Sequence, residues 1–108
     1  MESDEHDRWY AVRCLFQGTD GGETSYEERI TLWRATSLED ALARAEAEAV
    51  EYAEFAGLTY VTGFDQSYPL ADAPPRDGAE VFSLIRGSSL PPSAYIYRFL
   101  ATGQERQP

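Results

Sequence analysis

The sequence predicts an α+β fold: a four-stranded antiparallel sheet with helices on one face, in the order strand-strand-helix-strand-strand-helix. Three observations predict it. Four segments alternate apolar and polar residues, as half-buried strands do. Residues 37–56 instead carry apolar residues at helical spacing. Clusters of glycine, proline and aspartate separate these segments. We expect one domain over residues 8–103 of the 108-residue chain, with a disordered acidic leader at 1–7 and a frayed tail at 104–108.

The first two predicted strands form a hairpin. Residues 8–17 are the first strand, the glycine-rich residues 18–22 are the turn, and residues 25–35 are the second strand. Alternation gives each strand two faces. In the first strand one face carries Tyr10, Val12, Cys14 and Phe16, and the other carries Trp9, Ala11, Arg13 and Leu15. In the second strand Ile30 and Leu32 point one way, and Thr31 and Trp33 point the other way.

Residues 37–56 predict the longest helix. Thr36 with Glu39, or Ser37 with Asp40, forms a capping box at its start, and Gly57 ends it in a left-handed conformation. One narrow stripe is expected to be buried: Leu38, Ala41, Leu42, Ala45, Ala49, Tyr52, Ala53 and Ala56. The acids expected to be exposed are Glu39, Asp40, Glu46, Glu51 and Glu54.

The second half of the chain predicts two more strands and a short helix. Residues 58–68 alternate as a third strand, in which Gly63 marks a bulge. Residues 69–78 form a loop, and residues 79–86 form a fourth strand. The final helix is predicted over residues 91–102, beginning at a proline pair. The side chains expected to point inward from it are Tyr95, Ile96, Phe99 and Leu100.

Composition limits the functions that the chain can have. It contains 19 acidic residues and nine arginines, for a net charge of −10, and it has no lysine. Binding to nucleic-acid phosphates requires concentrated lysine and arginine, so we expect no nucleic-acid partner. No segment resembles a signal peptide or a membrane span, and a single cysteine cannot form an internal disulfide. We therefore expect a soluble, cytoplasmic, bacterial-type protein that does not bind membranes.

Few side chains could carry catalysis. His6 lies in the charged leader, which offers no apolar anchor to hold a base in place. Cys14 lies on an apolar strand face, where a buried and unreactive thiol is expected. No phosphate-binding loop or calcium loop is present. The carboxylates considered for an acid/base pair are Glu27, Glu28, Asp65, Asp72, Asp77 and Glu80. We predict no enzymatic activity, no metal and no cofactor, with a carboxylate-based hydrolase as the least favoured alternative.

Three surfaces are candidates for binding. A four-stranded sheet with helices on one face leaves its other face uncovered, and exposed apolar patches mark interaction surfaces. The predicted homodimer interface on that face consists of Trp9, Leu15, Trp33 and Val61. A candidate pocket is lined by Arg13, Glu28, Glu80 and Arg86. The outer side of the long helix carries a weak apolar seam among acids, which would suit a basic protein partner: Ala43, Glu46, Ala47, Val50 and Glu54.

Four motifs resemble a family of short bacterial proteins that is known only as a domain of unknown function. They are W-Y-x-V from Trp9, Y-E-E-R-I from Tyr26, E-V-F-S-x-I-R-x-S from Glu80 and T-G-x-E-R from Thr102. The resemblance covers residues 9–106. It implies a small bacterial domain that stands alone, and it brings no catalytic residues.

These observations favour a non-enzymatic protein-interaction domain that forms a homodimer through its uncovered sheet face. By analogy alone, a small acidic domain with an acidic helix also suits an inhibitor or immunity-type protein directed at a basic target. The alternative is a small-ligand-binding domain whose pocket is lined by arginine, glutamate and tyrosine. A deep pocket with convergent polar groups would favour that alternative.

Overall fold

The computed structural model describes residues 7–70, 75–83, 85–100, 102, 103 and 105. The fold is α+β overall, but the predicted four-stranded sheet with six alternating elements is wrong. The elements in chain order are β1 (Arg8–Asp20), β2 (Glu23–Ala35), α1 (Leu38–Ala56), β3 (Thr59–Pro69) and α2 (Pro92–Tyr95), which continues into a π-helical turn (Ile96–Leu100). The leader residues 1–6 and most of the predicted tail lie outside the described residues.

The central strand of the antiparallel sheet is β1, and the strand order is β2-β1-β3. The turn between β1 and β2 consists of Gly21 and Gly22, whose φ angles of 62° and 84° are both positive. Two-residue turns of this kind match the right-handed twist of the strands that they join. The turn also fixes the register, and it places Tyr10 opposite Trp33.

The pairing of β3 with β1 is interrupted at Gly63. Arg13 pairs with Gln66 and Leu15 pairs with Val61, so β3 advances five residues where β1 advances two. Gly63 lies in this interval with a φ of 87°, a backbone conformation that residues with a Cβ atom rarely adopt. The predicted irregularity at Gly63 is therefore confirmed.

The predicted fourth strand, residues 79–86, does not form in the part of it that the structure describes. The Asp77–Gly78 turn is closed by the Ala79 N–H, which donates to the Arg76 carbonyl (2.8 Å). Residues 80–83 then lie beside the end of β3, and the Phe82 ring packs on the Tyr68 ring at 5.3 Å between centroids. A segment that lies on a sheet face can alternate apolar and polar residues as a strand does, which explains the wrong assignment. Leu84 lies outside the described residues.

The final helix is shorter than predicted and does not face inward. It starts at the proline pair, as expected, but α2 has only four residues before the π-helical turn. Ile96, Phe99 and Leu100, which were expected to be buried, are exposed, and Tyr95 is half-buried. Neither α2 nor the π-helical turn packs against the sheet or α1. The predicted inward face is therefore wrong, because no described helix or strand lies opposite it.

The core lies between α1 and one face of the sheet. Ser37 Oγ accepts a hydrogen bond from the Asp40 N–H (3.0 Å), and Gly57 ends the helix with a φ of 73°. The buried side chains of the predicted stripe are Ala41, Ala45, Ala49 and Ala53, and those facing them from β1 are Tyr10, Val12, Cys14 and Phe16. Leu42 and Tyr52 are half-buried, whereas Leu38 and Ala56 near the ends of the stripe are exposed. Across the described ranges, no helix has the length and apolar character needed to cross a membrane.

Candidate functional site

The sheet has one face that α1 covers and one that no helix covers, which we call the open face. Strand pairing arranges the open face in rows that run from β2 across β1 to β3. The three central rows are Leu32–Ala11–Tyr68, Ile30–Arg13–Gln66 and Glu28–Leu15–Val61. Trp9 lies at one end of β1 on the same face, because it is two residues from Ala11. The structure thus brings Trp9, Leu15 and Val61 to one surface, as predicted.

Trp33 does not belong to the open face. It pairs with Tyr10, packs against the core beneath α1, and lies 5.4 Å from the Arg44 guanidinium, measured to the ring centroid. Its Nε1–H donates to Thr31 Oγ1 (2.7 Å). The prediction that Trp33 joins the interface is therefore wrong. The two-residue Gly21–Gly22 turn could have shown this, because it fixes which residues of the two strands share a face.

Exposed apolar side chains of β2 take the place expected for Trp33. Tyr26 is 63% exposed, Ile30 is 40% exposed and Leu32 is 41% exposed. These three residues and Glu28 occupy alternate positions of one strand, so they form a continuous edge of the open face. Leu15 of β1 and Val61 of β3 are half-buried on the same face. Each of the three strands therefore contributes apolar side chains to the open face.

A charged pair lies within this apolar surface. The Arg13 guanidinium forms an ion pair with the Glu28 carboxylate, and it donates to Gln66 Oε1 (3.5 Å). The hydrogen bond to Glu28 is the main reason that the pKa of Arg13 is raised. The Phe82 ring lies 5.2 Å from the same guanidinium. Arg13 is therefore already engaged on several sides, and it does not form an open anion-binding site.

The candidate pocket does not assemble from its four predicted residues. Glu80 lines a shallow groove of about 120 Å³ together with Tyr68, Pro69, Leu70, Val81, Phe82 and Ser83. Arg86 lies elsewhere, where it donates to Tyr95 Oη (3.2 Å) and packs 4.7 Å from the Phe99 ring. Pockets for small ligands usually enclose about 300–1,000 Å³. The groove is too small for that role.

The segment of residues 85–100, which we call the arm, exposes most of its apolar side chains. The exposed fractions are 94% for Ile85, 47% for Ile96, 72% for Tyr97 and 59% for Leu100. Two of its ring contacts lie within the arm itself: Tyr95 and Phe99 stack at 4.8 Å, and Arg98 lies 5.6 Å from the Phe99 ring. Sequence reasoning placed this segment inside the domain and missed it as a surface. The proline pair and the lack of acids in residues 85–100 were the available signals.

The outer side of α1 remains exposed, as the predicted seam requires. Ala43, Ala47 and Glu54 are exposed, and Val50 is 58% exposed. The Glu46 carboxyl instead lies near Asp65 of β3, and partial desolvation and the hydrogen bond with Asp65 raise its pKa. Phe55, 90% exposed, also lies on α1 and was missed by the sequence analysis. A basic partner for this side of α1 stays a prediction.

A small polar cluster lies between α1 and β3. Tyr60 Oη donates to the Asp65 carboxylate, and burial raises the pKa of Tyr60. Cys14 is buried nearby, and desolvation raises its pKa to about 12. Its thiol is therefore protonated at neutral pH and is a poor nucleophile. The prediction that Cys14 is buried is confirmed.

Metal binding has no support in the part of the chain that the structure describes. No group of three or more histidine, cysteine, aspartate or glutamate side chains is placed there to hold a metal ion. His6 and Asp72, two of the candidates for site chemistry, lie outside the described residues.

Comparison with protein-family models, with curated proteins and with solved structures found no match. The resemblance to a family of unknown function therefore stays a prediction, and the function has to be argued from the surfaces described above.

Proposed function

We propose that this chain is a non-enzymatic protein-interaction domain that forms a homodimer through its open face. The observation that carries the proposal is the exposure of apolar side chains on β2, on a face to which β1 and β3 add half-buried apolar residues. Ile30 and Leu32 are each about two-fifths exposed, and the half-buried Leu15 and Val61 lie on the same face in the row next to that of Ile30. Contiguous apolar surface of this kind is characteristic of protein-binding sites.

The composition of the open face suits a protein partner better than a small molecule. Aromatic residues and arginine are enriched at interface centres, and here Trp9, Tyr26, Tyr68 and Arg13 lie on one face. The Arg13–Glu28 ion pair neutralises itself within the chain, so a partner could cover it without leaving one charge unpaired. The shallow groove at Glu80 offers no comparable enclosure to a ligand.

A cytoplasmic location is part of this proposal. The single cysteine is a free, buried thiol, and disulfides are rare in reducing compartments. The dimer would therefore be held by apolar contact without covalent links. The open face supplies that contact.

Sedimentation analysis of the full chain tests the proposal. We expect a mass twice the 12.1 kDa of one chain. Leu32→Asp should give monomers with an unchanged circular dichroism spectrum, because it places a charge within the apolar part of the interface. Val50→Asp is the matched control: it puts the same charge on a residue that is 58% exposed on α1, and the dimer should persist. A wild-type chain that stays monomeric at the highest attainable concentration would overturn the proposal.

A further inference from the structure

The arm cannot be stable as an isolated helix. Helices shorter than about 12–15 residues are marginal in water without tertiary contacts, and α2 has four residues before its π-helical turn. Ile96, Tyr97 and Leu100 project from it without a covering element. The helical part of the arm therefore requires tertiary contacts to be stable, and the described residues of its own chain provide none with the sheet or α1.

Two surfaces of the described residues expose large apolar side chains. Tyr26, Ile30 and Leu32 on the open face and Ile85, Ile96, Tyr97 and Leu100 on the arm are each at least 40% exposed. Exposed apolar surface of this kind is characteristic of interaction sites.

The arm has the opposite charge to the rest of the chain. The arm contains Arg86 and Arg98 and no acidic residue, although the chain as a whole has a net charge of −10. Neither arginine has a carboxylate partner among the residues that the structure describes. Glu28 on the open face is already paired with Arg13, whereas Glu80, beside Tyr68 and Phe82, is an exposed carboxylate. An arm placed on the open face brings two arginines to an acidic chain, which favours encounter.

We propose that the open face is covered by the arm of a second copy of this chain, and that the two copies exchange arms reciprocally. This inference rests on the homodimer proposed above and names what occupies its interface. A two-fold dimer places the same surface of each copy against its counterpart. Each copy then contributes one arm and one open face, so both uncovered apolar surfaces of the chain are buried at once. Exchange of a terminal segment between identical chains is a low-cost route to such dimers.

Substitution in the arm of the full chain tests the assignment. Tyr97→Asp should raise the dimer dissociation constant by at least about thirtyfold, the effect of losing a central interface residue. Phe55→Asp is the matched control, because Phe55 is also an exposed aromatic residue but lies on α1, and it should leave dimerisation unchanged. If Tyr97→Asp dimerises as the wild type does while Leu32→Asp is monomeric, the open face dimerises without the arm. That result overturns this inference and leaves the homodimer proposal intact.

A mixing experiment distinguishes exchange between copies from other roles of the arm. Tyr97→Asp has an intact face, and Leu32→Asp has an intact arm. Each variant alone should be monomeric, since every contact it could form has one altered side. An equal mixture should form heterodimers, because one intact arm can meet one intact face. A mixture that stays monomeric overturns the exchange of arms, and a monomeric wild type overturns the homodimer proposal itself.

Discussion

The two faces of the sheet consist of alternating residues of the same strands, yet a helix covers only one of them among the described residues. On the covered face, Val12 and Phe16 have no exposed surface, and four alanines of α1 pack against this layer. On the open face, the neighbouring Arg13 and Leu15 are half-buried. The alternation is equally clear on both faces. Alternation therefore identifies a strand, but it does not show which part of the chain, if any, packs against each face.

Small side chains and one ion pair account for the close packing of the covered face. Alanine at four successive turns lets α1 approach the strands closely. At the β2 edge, both Arg29 Nη atoms donate to the Glu48 carboxylate, at 2.8 and 3.0 Å, and the guanidinium lies 3.9 Å from the Tyr52 ring centroid. The open face has an ion pair of its own, Arg13–Glu28, but no helix. The comparison predicts different costs for matched substitutions on the two faces.

The largest difference is expected between the adjacent residues Phe16 and Leu15. Phe16 is fully buried, and its ring contacts those of Tyr52 and Tyr60 at 5.0 and 5.6 Å. Phe16→Ala should lower the free energy of unfolding by about 3–5 kcal/mol, because it leaves a cavity in the core. Leu15→Ala should cost the monomer about 1 kcal/mol, in proportion to its partial burial.

Urea denaturation at two protein concentrations checks this prediction. The loss from Phe16→Ala should be the same at low and high concentration, whereas the loss from Leu15→Ala should grow as the wild type dimerises. Equal, concentration-independent losses for both variants would show that the two faces are buried alike within one chain.

Local chemistry made the first half of the fold predictable. Ser37 and Gly57 mark the two ends of α1 because a hydroxyl cap and a left-handed glycine satisfy backbone groups at helix termini. The hairpin follows from Gly21 and Gly22, whose register would also have placed Trp33 under α1. The second half was not predictable in this way. Residues 79–83 alternate because they lie on a sheet face, and the helical part of the arm packs on neither the sheet nor α1.

The two ion pairs offer a second, smaller contrast. The side chains of Arg29 and Glu48 are 28% and 32% exposed, whereas Glu28 is 58% exposed beside Arg13. The hydrogen bond to Glu48 is the main reason that the pKa of Arg29 is raised. Arg29→Ala should lower the free energy of unfolding by about 1 kcal/mol, since bidentate, partly buried pairs are the stronger ones. Arg13→Ala should cost the monomer about half as much or less.

Thermal unfolding at low and high salt measures this contrast. Arg29→Lys retains the charge but cannot donate two parallel hydrogen bonds, so it should recover only part of the loss. The pair on the open face should be the more salt-sensitive of the two. A larger loss for Arg13→Ala than for Arg29→Ala in the monomer would contradict the view that α1 makes its pair stronger.

The smallest effect is expected at Glu46, at the margin of the covered face. Its pKa is raised, first by partial desolvation and then by the hydrogen bond with Asp65. The folded state therefore holds a proton at Glu46 more tightly than the unfolded state does. The free energy of unfolding therefore falls as pH rises from the ordinary glutamate pKa through the raised one, and below the ordinary pKa Glu46 does not destabilise the fold.

Glu46→Gln should remove this destabilisation and raise the free energy of unfolding at neutral pH, by under about 0.5 kcal/mol because the site is solvent-screened. Glu54→Gln, on the exposed outer side of α1, is the control. Chemical denaturation of both variants from pH 4 to pH 7 should show the gain for Glu46→Gln growing with pH, and a gain independent of pH would contradict the role assigned to Asp65.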